Sequence, residues 1–142
     1  MVAKQLSVFI ENRHGRLGEV LDVLKENNVN ILSLSLADTT EYGLLRLIVN
    51  EPAVGKEKLL EKGFSSMLTD VLVVKIPHKA GSLQQLLKYI ADKTVNVENM
   101  YGLSIDGESA SVVMKTSDPK KAEEVLKEKG ISTLSTEEIS KL

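Results

Sequence analysis

Sliding the sequence along itself by 66 positions superposes Leu6 on Leu72, Val8 on Val74, Ile10 on Ile76, Gly15 on Gly81 and Leu17 on Leu83. The same offset carries Leu21 onto Leu87, Val29 onto Val95 and Asn30 onto Asn96. After one inserted residue the offset is 67, and it matches Glu41 with Glu108, Pro52 with Pro119, Leu59 with Leu126, Lys62 with Lys129, Gly63 with Gly130 and Thr69 with Thr136. An offset held across glycines, prolines and apolar positions marks a duplicated unit. Whatever one half of the chain folds into, the other half must fold into as well. At about 70 residues each copy buries little surface alone, so the two are expected to lean on each other. The expected domains are residues 1–69 and 70–142.

Each copy reads as strand, helix, strand, strand, helix, strand. Leu6, Val8 and Ile10 alternate with Ser7, Phe9 and Glu11, the period of a strand with one face buried. From Arg16 the apolar residues Leu17, Val20, Leu21 and Leu24 have helical spacing, and Asn27 with Asn28 supplies a polar stop. Residues 31–37 read as a strand. Asp38, Thr39, Thr40 and Glu41 turn the chain into a further run over 44–49. Pro52 suits a helix start, where its missing N–H costs nothing, and Gly63 suits the position just after the helix. Pro119 and Gly130 repeat these boundaries, with Asp118 as the N-cap. Residues 64–68 and 131–134 close the copies with short strands. This order predicts an α+β protein of two split βαβ units, each a ferredoxin-like plait with helices on one face of an antiparallel sheet. Only Thr69 and Asp70 lie between the last strand of one copy and the first of the next. That junction is too short for a flexible tether, so a rigid pair is expected.

Composition removes several classes of function. With no Cys there is no disulfide framework, thiolate metal site or thiol nucleophile, and two histidines, His14 and His78, are too few for a His-rich metal site. The first residues lack the apolar core of a signal peptide, and no run approaches the roughly 20 apolar residues that span a bilayer. A cytoplasmic protein without a membrane partner is expected. Lys and Arg number 18 against 20 Asp and Glu, evenly divided between the halves, so neither half offers nucleic acid the basic excess it needs. The five aromatics, Phe9, Tyr42, Phe64, Tyr89 and Tyr101, are scattered, which argues further against RNA. No nucleophile elbow, Walker loop or Gly-x-Gly-x-x-Gly fingerprint is present, so neither an enzyme nor a cofactor is expected.

The plait hosts many functions, and only a site can choose among them. The candidate is the connection from first strand to first helix, with Asn12, Arg13, His14, Gly15, Arg16 and Leu17 in one copy and His78, Lys79, Ala80, Gly81, Ser82 and Leu83 in the other. Each carries polar and basic residues, then a glycine, then a helix start. A helix N-terminus presents unpaired N–H groups and a partial positive charge suited to a small carboxylate. Asn amide oxygens and strand carbonyls would accept from an α-ammonium, and Leu17 and Leu83 would line an apolar side-chain pocket. Each feature also has a plainer role. The glycines can simply make turns, Asn30 and Asn96 are ordinary turn residues, and the basic side chains and His14 can be solvated.

The first copy, with Phe9, Ile10, Glu11, Asn12, Arg13, His14, Gly15, Arg16, Leu17 and then Val29, Asn30, Ile31, resembles the ACT domain, an amino-acid-sensing regulatory module. It is similar to those of phosphoglycerate dehydrogenase and of the small subunit of acetolactate synthase. The second copy matches through Ala80, Gly81, Ser82, Leu83 and Val95, Asn96, Val97. The resemblance implies a ligand at the seam between two domains, held by the loop of one and closed by the second-strand start of the other. On this chain that implies one pocket of residues 12–17 with Asn96 and Val97, and another of residues 78–83 with Asn30 and Ile31. Asn12 and Asn30 match side chains that hydrogen-bond ligand in serine-sensing members, and His78 stands where Asn12 stands. Ile10 takes the place of a His in those members, and His14 and Ala80 stand where Pro is common, so the ligand stays open. The expected function is a non-catalytic regulator that binds a free amino acid or related small metabolite and signals to a partner, such as a metabolic enzyme. The alternative is an adaptor acting by protein contact. A homodimer is expected through the sheet face away from the helices, with Phe9, Val71 and Val73 as the candidate apolar contacts.

Overall fold

The structure, a computed structural model, describes residues 1–38 and 41–141. The turn expected at Thr39 and Thr40 lies outside the described residues. The chain divides into two compact units, one of Lys4–Thr69 with Ser140 and Lys141, the other of Asp70–Ile139 with Met1–Ala3.

The first unit contains β1 (Ala3–Glu11), α1 (Arg16–Glu26), β2 (Ile31–Asp38), β3 (Tyr42–Val49), α2 (Pro52–Glu61) and the beginning of β4 (Ser65–Pro77), with strand order β2-β3-β1-β4. β3 lies antiparallel to both β1 and β2. The alternation of β1 sets the register: Leu6 opposes Leu47, Val8 opposes Leu45 and Ile10 opposes Gly43, all on the face that carries the helices. These residues meet Val20, Val23, Leu24, Val29, Leu59 and Phe64 in one core. In α1 it is Val23 rather than Leu21 that is buried, because the stripe facing the sheet runs through Val20, Val23 and Leu24. The other face of β1 is not the solvated one that simple alternation predicts. Gln5 and Ser7 are also buried there, and the Gln5 Nε2 amide donates to Ser7 Oγ at 3.1 Å, which removes the penalty of burying both unpaired.

The second unit runs from the remainder of β4 through α3 (Ser82–Ala91), β5 (Val97–Asp106), β6 (Ser109–Thr116), α4 (Pro119–Glu128), β7 (Thr133–Leu134) and α5 (Thr136–Ser140). Its strand order is β5-β6-β4-β7, all antiparallel. Leu72 opposes Met114, Val74 opposes Val112 and Ile76 opposes Ala110. A second core gathers Leu72, Val74, Ile76, Leu86, Ile90, Val95, Met114, Ala122 and Leu126, with Val2 packed against it. The N-terminal ammonium is held beside it by Glu123 at 2.5 Å and Thr133 Oγ1 at 2.9 Å. Each unit is a βαββαβ plait, as the element order predicts.

The boundaries depart from expectation in three places. Thr69 and Asp70 do not separate two strands, since β4 runs unbroken through them for 13 residues; no Gly or Pro interrupts that run before Pro77. The strand expected over 131–134 shortens to the two residues of β7. The chain then enters α5, so Thr136 is helical while its sequence match Thr69 is in a strand. The cause is a capping box: Glu138 N–H donates to Ser135 Oγ at 3.2 Å, and Ser135 N–H donates back to Glu138 Oε1 at 3.3 Å. Ile139 buries the short helix.

Val71 and Val73, offered above as an exposed dimer surface, are fully buried within the chain, as is their neighbour Val113. Phe9 alone of that set is exposed, at 47%. A homodimer therefore cannot rest on the two valines.

α4 carries the one N-cap the sequence singled out. Asp118 Oδ1 accepts from the Lys121 N–H at 3.1 Å. Asp118→Ala is expected to lower stability by about 1 kcal/mol, read as a reduced urea midpoint with an unchanged m-value.

Candidate functional site

The two strand-to-helix loops fold alike. In the first, Asn12 N–H donates to the Glu41 carbonyl at 3.0 Å and Arg13 N–H to the Glu11 carbonyl at 2.8 Å. In the second, His78 N–H donates to the Glu108 carbonyl at 2.7 Å and Lys79 N–H to the Pro77 carbonyl at 3.0 Å. Each loop ends on a glycine in the left-handed region, Gly15 at φ 85° and Gly81 at φ 87°, a conformation that costs an L-residue about 1–2 kcal/mol. These glycines are the N-caps of α1 and α3, and neither helix has a side-chain cap. Beyond the bonds from Arg16 to Arg13 and Glu19 to Gly15, the N–H groups of Leu17 and Gly18 find no partner among the described residues. Leu83 and Gln84 stand in the same position in α3. Two pairs of backbone donors thus point out of the two helix starts, each at the positive end of a helix dipole.

Asn30 and Asn96 also sit in matching frames. Asn30 exchanges bonds with Asn50, whose N–H donates to the Asn30 carbonyl at 3.1 Å and whose Oδ1 accepts from Asn30 N–H at 2.8 Å. Asn96 does the same with Ser117, at 2.8 and 3.0 Å. Both asparagine side chains are exposed. Within one repeat they do not meet the loop. Glu11 opposes Tyr42 at one end of β3, and Ile31 opposes Val49 at the other. At about 3.4 Å per residue that places them more than 20 Å apart along the strand. No small molecule touches both Asn12 and Asn30 of a single repeat.

The remaining loop side chains divide by role. Leu17 packs against the first core and Leu83 is 38% exposed, so the two apolar positions are not equivalent. Ile31 and Val97 are partly buried against the first and second cores. His14, His78 and Lys79 are exposed, while Arg13 pairs with Glu11 at 3.2 Å.

Arg16 and Ser82 separate the repeats most. The Arg16 guanidinium lies 4.3 Å over the Phe64 ring, bonds Glu19 Oε2 at 2.5 Å and reaches Glu11 Oε1 at 4.0 Å. The matching residue, Ser82, is too short for any of these contacts. A cleft of about 890 Å³ opens there, lined among others by Lys79, Ala80, Gly81, Ser82, Leu86, Tyr89, Lys129 and Ile131. Tyr89, Lys129 and Ile131 were not singled out from the sequence, yet placing Arg16 beside Ser82 in the repeat alignment marks the spot where the copies diverge.

Among the described residues no helix is long and apolar enough to cross a membrane. A family model of the ACT domain pair matches residues 1–142. A solved protein from Bacteroides thetaiotaomicron is similar at 38% identity and TM-score 0.94, over 100% of this chain and 98% of that one. The ligand-free regulatory subunit of aspartate kinase from Thermus thermophilus shares the fold at 14% identity and TM-score 0.64, over 88% and 90% of the two chains. The regulatory subunit from Thermus flavus does so at 16% identity and TM-score 0.61, over 87% and 88%. No curated protein matches the chain.

Proposed function

The chain belongs to the ACT domain pair family, and from that premise we propose that it is a non-catalytic regulatory protein that binds a free amino acid or related small metabolite and passes that state to a partner. The observation that carries this reading is the pair of helix starts at Gly15 and Gly81, each left without a side-chain cap and with two outward backbone donors. An α-carboxylate satisfies such donors with favourable dipole geometry. The α-ammonium then takes an amide oxygen such as that of Asn12 or of Asn96. Binding regulates only if the ligand prefers one arrangement of the protein over another.

A thermal-shift screen against the 20 amino acids and their keto-acid precursors at millimolar concentration tests this. A ligand at 100 times its dissociation constant adds about 2.7 kcal/mol, several degrees for a protein of this size. One clear stabiliser is expected, with its effect lost in Asn12→Ala or Asn96→Ala. No shift with any compound overturns the reading.

A second reading, an adaptor acting by protein contact, has its own support. Leu34 and Leu36 oppose core residues Leu47 and Leu45 across the sheet, yet they are 50% and 46% exposed because the helices leave edge strand β2 uncovered. Such a pair suits an apolar partner or a second copy of the chain. Sedimentation velocity at tens of micromolar separates these outcomes: a dimer weakened by Leu34→Lys supports self-association, and a monomer removes it.

A further inference from the structure

We propose that the cleft of the second repeat is a binding site for a small organic dianion, a dicarboxylate or a phosphorylated compound, and that the matching position of the first repeat is closed by the protein's own Arg16. The cleft lies wholly within one unit, between the end of β4, the start of α3 and residues 129–132. Its volume of about 890 Å³ falls within the range of roughly 300–1,000 Å³ usual for small-molecule sites. Ile76, Leu86 and Ile131 supply an apolar floor.

Charge selects the ligand. Lys75, Lys79 and Lys129 line the cleft against a single acid, Glu108, and none of these lysines is in an ion pair among the described residues. Lys129 instead sits 5.0 Å over the Tyr89 ring. Unneutralised cations around a concave apolar surface focus positive potential into it. Ser82 lines the cleft, and its hydroxyl is buried with no hydrogen-bond partner, a polar group left unsatisfied in the wall.

The first repeat serves as an internal control. By the repeat offset, Glu11, Arg16, Glu19 and Phe64 stand where the second repeat has Pro77, Ser82, Gln85 and Ile131. In the first repeat the two carboxylates and the ring collect Arg16. In the second, both acids and the arginine are gone together. The change removes the filling side chain and, with two acids lost for one arginine, a net negative charge, so the lysines that line the cleft set its potential.

The cleft shares Lys79, Ala80, Gly81 and Ser82 with the second loop, so a dianion there competes with a zwitterion at that loop but not with one at the Gly15 loop, and the two readings are told apart by their different ligands. The test is isothermal titration calorimetry of the full chain at low ionic strength with glutarate and, separately, phenyl phosphate. ¹H–¹⁵N spectra follow the amides. One site per chain is expected, with shifts at Gly81, Ser82, Gly130 and Ile131 and none at Gly15, Arg16, Gly63 or Phe64. Lys129→Glu should weaken binding about tenfold or more by reversing one charge, and Ser82→Glu should abolish it by placing a carboxylate in the cleft wall. Binding of only one probe identifies the ligand as dicarboxylate or phosphate. No binding of either at millimolar concentration, or binding that both variants leave intact, overturns the proposal. Lys129 is exposed, so its variant keeps the test decisive should Ser82→Glu fail to fold.

Discussion

Leu6→Ala is expected to destabilise the protein by about 3 kcal/mol, within the range of roughly 2–5 kcal/mol for truncating a buried leucine. Leu6 is completely buried and pairs with Leu47 at the centre of the first core. Its Cδ2 also reaches toward α2, ending 3.0 Å from where a side-chain carbon on Gly55 would stand. Leu6 is packed among Val20, Leu24, Val29, Leu47 and Leu59 in one core, so filling the space left by the lost methyls would require several of them to shift together. Urea denaturation should show a lower midpoint at constant m-value, and calorimetry a melting temperature lower by several degrees. A loss below about 1 kcal/mol would mean that α2 settles into the gap.

Gly55→Val is expected to have the next largest effect, a loss of about 1–3 kcal/mol from overpacking. A Cβ at Gly55 meets Leu6 Cδ2 at 3.0 Å, Leu24 Cδ2 at 3.4 Å and Val29 Cγ1 at 3.7 Å. Valine adds two further methyls toward that wall and has little rotamer freedom on a helix with which to avoid it. Glycine costs a helix interior about 1 kcal/mol relative to alanine, so its presence here reflects the close approach of helix and sheet. The second repeat carries Ala122 at the matching position, fully buried opposite its own core, so one methyl is tolerated in that copy. Because Leu6 and Gly55 share the contact, Leu6→Ala with Gly55→Val should be less destabilised than the sum of the single variants. A double-mutant cycle measures this, and strict additivity would show that the two sites do not touch.

The parts of the fold that could be read in advance are those governed by local chemistry. Leu6, Val8 and Ile10 announced a strand; Pro52, Pro119, Gly63 and Gly130 bounded helices; Asp118 was recognisable as a cap. Ser135 and Glu138 carried an equally local signal, the S-x-x-E capping box, and the repeat alignment hid it by matching Thr136 with Thr69. Other residues had no local signal. Val23 is buried and Leu21 is not, because the rotation of α1 on the sheet, and not hydrophobicity alone, decides which face is covered. Val71, Val73, Gln5 and Ser7 are buried on the face that alternation assigns to solvent, since burial depends on what packs there.

The candidate site divides in the same way. The glycine-terminated loops and their uncapped helix starts follow from residues adjacent in sequence, so both were visible as motifs. The opposite placement of Asn12 and Asn30 within a repeat depends on β1 and β2 both pairing antiparallel along β3, which puts the end of β1 at one end of it and the start of β2 at the other. The cleft beside Ser82 depends on residues 50 positions apart.

By itself the sequence determined the duplication, the order of elements in each copy and the family to which the chain belongs, because repeats, turn residues and caps act over a few residues. Tertiary structure alone decided which repeat is open. Arg16 folds onto Phe64 and two acids in one copy, whereas Ser82 leaves a lysine-lined cleft in the other. Closing one and opening the other depends on side-chain length and charge meeting across distant elements, and packing alone brings those elements together.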